Sequence, residues 1–156
     1  EAILLNVFNE LRWHGVANIW RWPVPMVTTT AVVHCDCGRS VKGTAAAYSA
    51  RTGCDFFGYT RSGRAVTIEA KSIDRASISL GGEGSGVKAH QLAALLEAHR
   101  CGAISLLLWR RGGFIRAIPA VGLIGKEREA WGDGSSLLGE DALAKELRRI
   151  FSEGAG

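Results

Sequence analysis

The sequence predicts a mixed α/β domain with one central β-sheet flanked by helices. Apolar residues recur at helical spacing near both ends of the chain and once in the middle. Between these segments lie two short strand-like runs joined by a tight turn, and a fully apolar run of the kind that parallel sheets bury. A chain of 156 residues is long enough for one domain with a real core and too short for two ordinary ones, so we expect a single domain over residues 1–156.

The chain opens with a predicted amphipathic helix and a strand. Residues 3–11 place Ile, Leu, Val and Phe at helical spacing, and His14-Gly15 supplies a natural helix end. Residues 16–22 favour a strand that ends at Pro23, because proline cannot continue a sheet ladder.

The segment that follows divides into two parts. Residues 27–33 are rich in β-branched side chains, which are typical of extended chain. Residues 34–51 combine Gly, Ser, Ala and basic side chains without a clear period. We interpret residues 34–51 as a projecting basic arm that carries Arg39 and Lys42.

The middle of the chain predicts a β-hairpin. Residues 54–60 and 65–71 are strand-like, and Arg61-Ser62-Gly63-Arg64 joins them. The remaining elements are expected to be a helix, a buried strand, a further strand and a closing amphipathic helix, at residues 87–100, 103–109, 114–118 and 140–151.

The glycine-rich stretch over residues 81–86 predicts a loop, and its sequence excludes a nucleotide phosphate site. A Walker loop ends in Gly-Lys-Ser/Thr, whereas this chain reads Gly86-Val87-Lys88-Ala89. We therefore expect no nucleotide cofactor.

Composition and charge exclude some classes of protein and indicate what kind of partner the chain could bind. Apolar residues make up 47% and charged residues 22%, which excludes a disordered chain. No apolar run approaches the roughly 18–20 residues of a transmembrane helix and no secretory signal is visible, so we expect no membrane partner. The net charge of +4 fits a polyanion such as nucleic acid, but charge alone does not distinguish such a partner from a solubilising surface.

The four cysteines do not predict a disulfide framework or a zinc site. Cys54 and Cys101 lie among apolar residues and are expected to pack as small hydrophobes. Cys35 and Cys37 lack the second cysteine pair that a structural zinc site needs.

The chemistry-bearing residues lie on the predicted hairpin, and its register decides whether they meet. Glu69 and Lys71 share one face of a strand because side chains two residues apart point the same way. A two-residue turn would direct the Asp55 carboxylate away from Glu69. A three-residue turn with Gly63 in the left-handed conformation places Asp55 directly opposite Glu69, with their Cβ atoms about 5 Å apart. We predict the second register.

Two carboxylates at that distance repel each other unless a cation lies between them. Their oxygens, with the backbone carbonyl of Ala70, suit a hard ion such as Mg²⁺ or Mn²⁺. Such an ion activates water for phosphodiester hydrolysis, and Lys71 would orient that water or stabilise the charge that grows on the phosphate. The spacing alone also fits an ordinary cross-strand ion pair at the surface.

Residues 53–55 (Gly-Cys-Asp), a hairpin and residues 68–71 (Ile-Glu-Ala-Lys) resemble the PD-(D/E)XK nuclease motif, with Cys54 where many members carry proline. Within that superfamily the chain resembles the RecU-type Holliday-junction resolvases. Residues 21–25 (Arg-Trp-Pro-Val-Pro) resemble the basic-X-Pro-X-Pro segment of that family. Residues 77–80 (Ser-Ile-Ser-Leu) with the later His90-Gln91 resemble its approach to the second helix, so that the resemblance covers about residues 1–120.

The resemblance implies a PD-(D/E)XK nuclease fold, with a stalk that enters the junction at the place of the basic arm. It implies that Asp55 and Glu69 are metal ligands and that Lys71 is the catalytic lysine. Glu1 takes the place of the acidic residue on the first helix, where it would complete the metal site directly or through water. Gln91 would support the site by hydrogen bonding, with an exposed helix residue as the alternative, and His90 is expected to be structural.

The resemblance also implies a homodimer that resolves four-way DNA junctions symmetrically with Mg²⁺, with Mn²⁺ as a substitute. It implies a cytoplasmic location, in the host cytoplasm or nucleoid if a phage encodes the chain. The residues expected to contact DNA are basic: Arg39, Lys42, Arg51, Arg61, Arg64, Arg75 and Lys88. Two alternatives stay open, namely another PD-(D/E)XK endonuclease of restriction or repair type, and a non-catalytic junction-binding module.

Overall fold

The structure is a computed structural model that describes residues 2–23, 26–34, 40–48, 53–82, 84–132 and 137–153. For residues 26–34, 41–48, 137 and 138 it describes the backbone alone. The chain divides into two compact units, Pro23–Thr52 and the remainder formed by Glu1–Trp22 with Gly53–Gly156. The single domain over residues 1–156 stays a prediction.

The larger unit is built on one mixed sheet. Its elements in chain order are α1 (Ala2–Trp13), β1 (Ala17–Arg21), β4 (Phe56–Thr60), β5 (Ala65–Ser72), β6 (Ser77–Ser79), α2 (Ala89–Arg100), β7 (Ile104–Arg111), β8 (Phe114–Pro119), the 3₁₀ helix η1 (Ala120–Leu123), β9 (Arg128–Ala130), β10 (Leu137–Leu138) and α3 (Gly139–Glu153). The smaller unit is the hairpin of β2 (Met26–His34) and β3 (Ser40–Tyr48).

The sheet has the strand order β1-β4-β5-β7-β8-β10. Among the described strands of this sheet, β5 and β7 are the pair that runs parallel, and α2 lies between them in the chain, as a parallel connection requires. The other neighbours are antiparallel, and β6 pairs with β9 in a separate two-stranded sheet. The predicted α/β class with a central mixed sheet flanked by helices is confirmed.

Alternation along the strands fills two cores, one on each face of the sheet. On one face, Val66 and Ile68 of β5 pack with α1 and α3 residues such as Leu11 and Leu147. On the other face, Leu107 and Trp109 of β7 pack with α2 and with residues before and after it. Because successive strand side chains point to opposite faces, Glu69 and Lys71 lie on the α2 side.

Several elements differ from the sequence prediction. The β6, β9, β10 and η1 segments were not expected, since two to four residues cannot display a period. The second helix begins at Ala89, and the strand β7 continues to Arg111, through residues expected to turn. In the predicted aperiodic arm, Ser40–Tyr48 forms a strand paired with β2, while residues 35–39 and 49–51 lie outside the described residues.

Cys101 was expected to be packed, and this expectation was wrong. It caps the C-terminus of α2, where the chain turns outward at Gly102 with φ of +88°, and its side chain is exposed. Within the described ranges, no helix has both the length and the apolar character that crossing a membrane requires.

Candidate active site at the open end of a hairpin

The β4–β5 hairpin has the register that brings Asp55 and Glu69 opposite each other. Phe56 pairs with Ile68 and Tyr59 with Ala65, so one further step aligns Asp55 with Glu69. The turn has three residues, because the Thr60 N–H donates to the Arg64 carbonyl at 2.9 Å, and Gly63 adopts a φ of +82°. The three-residue turn and the register predicted from the sequence are therefore confirmed.

Asp55 is held from both neighbouring strands. Its backbone carbonyl accepts a hydrogen bond from the Trp22 N–H at 2.8 Å, just beyond β1. Its Oδ2 accepts one from the Ala70 N–H of β5 at 2.9 Å. The N–H and C=O of one residue in an extended strand point to the same side, so the Ala70 carbonyl also faces the Asp55 side.

Glu69 is a fully buried carboxylate, with no exposed side-chain surface. The Lys71 Nζ lies 2.6 Å from Oε1 in an ion pair, while within the described part of the chain neither carboxylate oxygen has a hydrogen-bond partner of ordinary geometry. The pKa of Glu69 is raised to about 7, chiefly by burial and also by the nearby Asp55, while Lys71 opposes the rise. Asp55 and Glu69 therefore interact as a pair of like charges.

Cys54 is a neutral thiol beside this pair. It is buried, and burial followed by the charges of Glu69 and Asp55 raises the pKa of its thiol to about 12. At neutral pH it packs as a small hydrophobe, as the sequence predicted, and offers no thiolate for catalysis. The preceding residue must be small, because a Cβ on Gly53 would lie 2.9 Å from the Ala94 Cβ of α2.

A cavity of about 240 Å³ opens beside these residues. Its polar lining comes from Asp55, Lys71 and Ser72 together with two arginines, Arg21 and Arg110. Apolar residues of α1, β4, β5, β7 and β8 form the rest of the wall. Glu69 does not line this cavity, but Lys71, which contacts the Glu69 carboxylate, does.

Arg110 was not predicted as a site residue, and Arg21 was quoted only as part of a motif. Arg21 ends β1, which pairs with β4 so that Arg21 stands opposite Phe56. Arg110 pairs with Ser72 across the parallel β5–β7 ladder. The two-residue sequence Arg110-Arg111 was the available signal, but its relation to Asp55 depends on a strand pairing that sequence spacing does not reveal.

Four of the basic residues predicted to contact DNA, Arg61, Arg64, Arg75 and Lys88, do not line the cavity. Arg61 and Arg64 lie at the turn, at the opposite end of a five-residue strand and therefore roughly 17 Å along the hairpin. The Arg64 Nε donates to the Gly102 carbonyl at 2.7 Å. Arg75 and Lys88 are exposed, and neither lines the cavity. Their contact with DNA stays a prediction.

The remaining predicted site residues are placed as follows. The Oε1 of Gln91 accepts a hydrogen bond from the Lys88 N–H at 3.1 Å, which is a capping contact at the start of α2. Lys42 lies on β3, of which only the backbone is described. Glu1, Arg39 and Arg51 lie outside the described residues.

The residues present fit a hard divalent cation with two carboxylates and a carbonyl. In the described part of the chain, the buried Glu69 oxygens have no hydrogen bond of ordinary geometry besides the Lys71 ion pair, and the Asp55 carboxylate and the Ala70 carbonyl face the same side of β5. Within the described ranges, no three His, Cys, Asp or Glu side chains come together as a metal site. The protein ligands described here would therefore leave coordination positions for water and substrate.

No model of a protein family and no curated protein sequence matches this chain. Among solved structures, the chain is similar to Hjc, a Holliday junction resolvase from the archaeal hyperthermophile Archaeoglobus fulgidus. The two share 15% sequence identity with a TM-score of 0.49, over 83% of this chain and 87% of that chain. A likeness of this degree does not establish a shared activity.

Proposed function

We propose that this chain is a metal-dependent DNA endonuclease of the PD-(D/E)XK type that resolves four-way junctions. The observation that carries the proposal is the hairpin register, which sets Asp55 opposite a fully buried Glu69. Among the described residues, Glu69 has the Lys71 ammonium as its one ion-pair partner, so a bound cation would balance the second carboxylate and relieve the repulsion between the two. The sequence resemblance to the RecU-type resolvases supports the choice of substrate.

Asp55, Glu69 and the Ala70 carbonyl would hold Mg²⁺, with Mn²⁺ as a substitute. When bound, such an ion polarises a phosphodiester and lowers the pKa of a coordinated water towards neutrality. The protein fixes the geometry, because hydrogen bonds from Trp22 and Ala70 hold Asp55 in place. Glu1 would complete the acidic cluster, and Gln91 would support it.

Lys71 connects the buried carboxylate to the cavity. Its ammonium contacts Glu69, its side chain is 18% exposed, and it lines the cavity. A cation in this place would orient the attacking water or stabilise the negative charge that grows on the phosphate. Its role is therefore catalytic.

Arg21 and Arg110 would bind the phosphates on either side of the reacting group. Both line the cavity that contains Asp55 and Lys71. The planar guanidinium matches two phosphate oxygens at once, which a lysine cannot do. The basic residues Arg39, Lys42, Arg51, Arg61, Arg64, Arg75 and Lys88 would contact the junction arms farther from the cut.

Symmetric cleavage of a four-way junction needs two active sites. We therefore propose a homodimer with two-fold symmetry. Recognition would depend on the shape of the junction and on phosphate contacts, so affinity would fall steeply with salt.

Incubation of the protein with a labelled four-way junction and a matched linear duplex, in Mg²⁺ and in EDTA, tests the proposal. The expected result is paired symmetric nicks in the junction alone, in Mg²⁺ alone, and no product with Asp55→Asn. Cleavage of the linear duplex at a short site would instead indicate a restriction or repair endonuclease. Junction binding without cleavage in Mg²⁺ or Mn²⁺, unchanged in Asp55→Asn, would indicate a binding module.

A further inference from the structure

Four aromatic side chains form a patch on the sheet beside the candidate active site. Trp20 and Trp22 of the β1 end and Phe57 and Tyr59 of β4 point to the same face, because Ala17, Ile19 and Phe56 point into the opposite core. We call these four residues the aromatic patch. Trp20 and Phe57 are direct cross-strand partners, and the other two extend the row in both directions.

The rings of the aromatic patch do not lie flat on the sheet. Trp22 meets Phe57 with ring centroids 4.6 Å apart and planes inclined by 66°, and Trp20 meets Tyr59 at 5.3 Å and 61°. Two rings inclined at such angles cannot both lie parallel to one surface, so one ring of each pair stands up from the sheet. Trp22 is 43% exposed and Tyr59 is 49% exposed. Ring surface is therefore open to a planar ligand.

The aromatic patch is continuous with the candidate active site. The Trp22 N–H donates to the carbonyl of Asp55, and Phe57 follows Asp55 by two residues. Towards the other end of the patch, the Arg12 Nε donates to the Oδ1 of Asn18, the strand partner of Tyr59, and the Arg12 guanidinium lies 5.9 Å from the centre of the Trp20 ring. A molecule on the patch would thus have a metal-binding carboxylate at one end and a cation at the other.

The size and charge of the aromatic patch favour nucleic acid over a second copy of the chain. Four aromatic side chains, each about half exposed or less, present on the order of 300 Å². Each partner of a stable protein dimer buries about 800 Å². Exposed rings combined with an arginine are the arrangement that stacks successive bases and neutralises their phosphates.

We infer that the aromatic patch is a stacking platform for unpaired bases of the DNA substrate, next to the bond that is cut. The inference rests on the proposed function, because a four-way junction can expose bases at its branch point. A base stacked on Trp22 would fix the position of the neighbouring phosphate relative to Asp55. The aromatic patch would thereby favour branched or frayed DNA over continuous duplex.

Binding measured by fluorescence anisotropy in EDTA tests the inference without cleavage. The probes are a 15-nucleotide single strand and a 15-base-pair blunt duplex. Trp22→Ala and Tyr59→Ala should each weaken single-strand binding roughly tenfold and change duplex binding less than twofold. Tyr59→Phe keeps a ring and should retain the affinity for the single strand. Trp13→Ala is the matched control, because Trp13 is 88% exposed and lies outside the patch.

Three results would overturn the inference. Unchanged single-strand binding in both alanine variants would remove the aromatic patch from DNA binding. Equal losses on single strand and duplex would indicate a phosphate surface rather than base stacking. Loss of dimer in sedimentation with unchanged DNA affinity would show that a second copy covers the patch.

A separate experiment tests the proposed function, namely cleavage of a four-way junction in Mg²⁺ by the wild-type protein. Patch-dependent single-strand binding without junction cleavage would support the stacking platform and contradict the resolvase. Junction cleavage together with single-strand binding that does not depend on the aromatic patch would support the resolvase and contradict the stacking platform.

Discussion

Two buried glutamates of this chain, Glu129 and Glu69, differ in their partners. The difference distinguishes an ion pair that stabilises the fold from a carboxylate of the candidate active site. Glu129 of β9 is 7% exposed and contacts two cations, Arg116 at 3.0 Å and Lys126 at 2.8 Å. Glu69 is fully buried, and it contacts one ammonium while facing a second carboxylate. Burial of a charge is thus not a functional signal by itself.

The balance of charge around each carboxylate carries the information. Glu129 is compensated within the protein, and one of its partners, Arg116 of β8, links β9 to the main sheet. Above pH 7, where Glu69 is ionised, Glu69 and Asp55 together carry two negative charges against the single ammonium of Lys71. An uncompensated buried charge costs stability, and a bound cation would compensate it.

The largest expected effect is a loss of DNA cleavage when Asp55 or Glu69 is substituted. Glu69→Gln and Asp55→Asn should each lower the rate of junction cleavage by about 10³-fold or more, because each removes a proposed ligand of the activating ion. Junction affinity in the same variants should stay within a few-fold, since phosphate contacts supply most of it. Single-turnover cleavage and anisotropy measure the two quantities. A loss of affinity with an unchanged rate would contradict the assigned roles.

The stability of Glu69→Gln should not fall. Removing one of two like charges in a buried site relieves repulsion, so we expect the free energy of unfolding to be unchanged or about 1 kcal/mol higher. Urea denaturation at pH 8 in EDTA measures it. A loss of more than about 2 kcal/mol would mean that Glu69 is a structural residue like Glu129.

Glu129→Gln should lower the free energy of unfolding and leave cleavage unchanged, which is the reverse of the result expected for Glu69→Gln. It leaves Arg116 and Lys126 without their carboxylate, and we expect a loss of about 2 kcal/mol, a value reduced because the Lys126 side chain is 48% exposed. Cleavage per folded molecule should be unchanged, because neither cation lines the cavity beside Asp55. A stable Glu129→Gln protein with impaired cleavage would contradict the structural role assigned to Glu129.

Arg110→Ala should have an intermediate effect. Arg110 lines the cavity with Lys71, so we expect roughly tenfold weaker cleavage at low substrate concentration, from the loss of one charge-assisted phosphate contact. Arg111→Ala, the neighbouring position on β7, is the matched control. Equal effects of the two substitutions would show that β7 contributes only general positive charge.

The smallest effect is expected at the turn end of the hairpin. Arg64→Ala removes the hydrogen bond to the Gly102 carbonyl and should lower the free energy of unfolding by less than about 1 kcal/mol. Cleavage of a four-way junction should fall less than twofold, because the turn lies roughly 17 Å from Asp55. A tenfold loss of cleavage would show that Arg64 acts close to the cut rather than on a junction arm farther from it.

The sequence predicted the part of the site that local geometry determines. Gly63 allows the left-handed conformation that a three-residue turn needs, and that turn fixes Asp55 against Glu69. Helical periods identified α1 and α3 because their buried faces repeat over three turns or more. These predictions needed no knowledge of distant contacts.

The part that depends on tertiary pairing could not be predicted. Arg110 joins the cavity only because β7 lies parallel to β5 in one register, and strand spacing in the sequence does not set that register. Strands β6 and β9 are three residues each and acquire their conformation from each other. The exposed turn of Cys101 likewise depends on where α2 ends.

Calorimetric titration of Mn²⁺ into the wild-type protein tests the central claim most directly, because it requires neither DNA nor turnover. The account predicts at least one bound ion per chain through Asp55 and Glu69. Both Asp55→Asn and Glu69→Gln should abolish that binding, while Glu129→Gln should leave it intact. Mn²⁺ binding that survives both substitutions at Asp55 and Glu69 would show that the pair does not hold the metal, and would contradict the account.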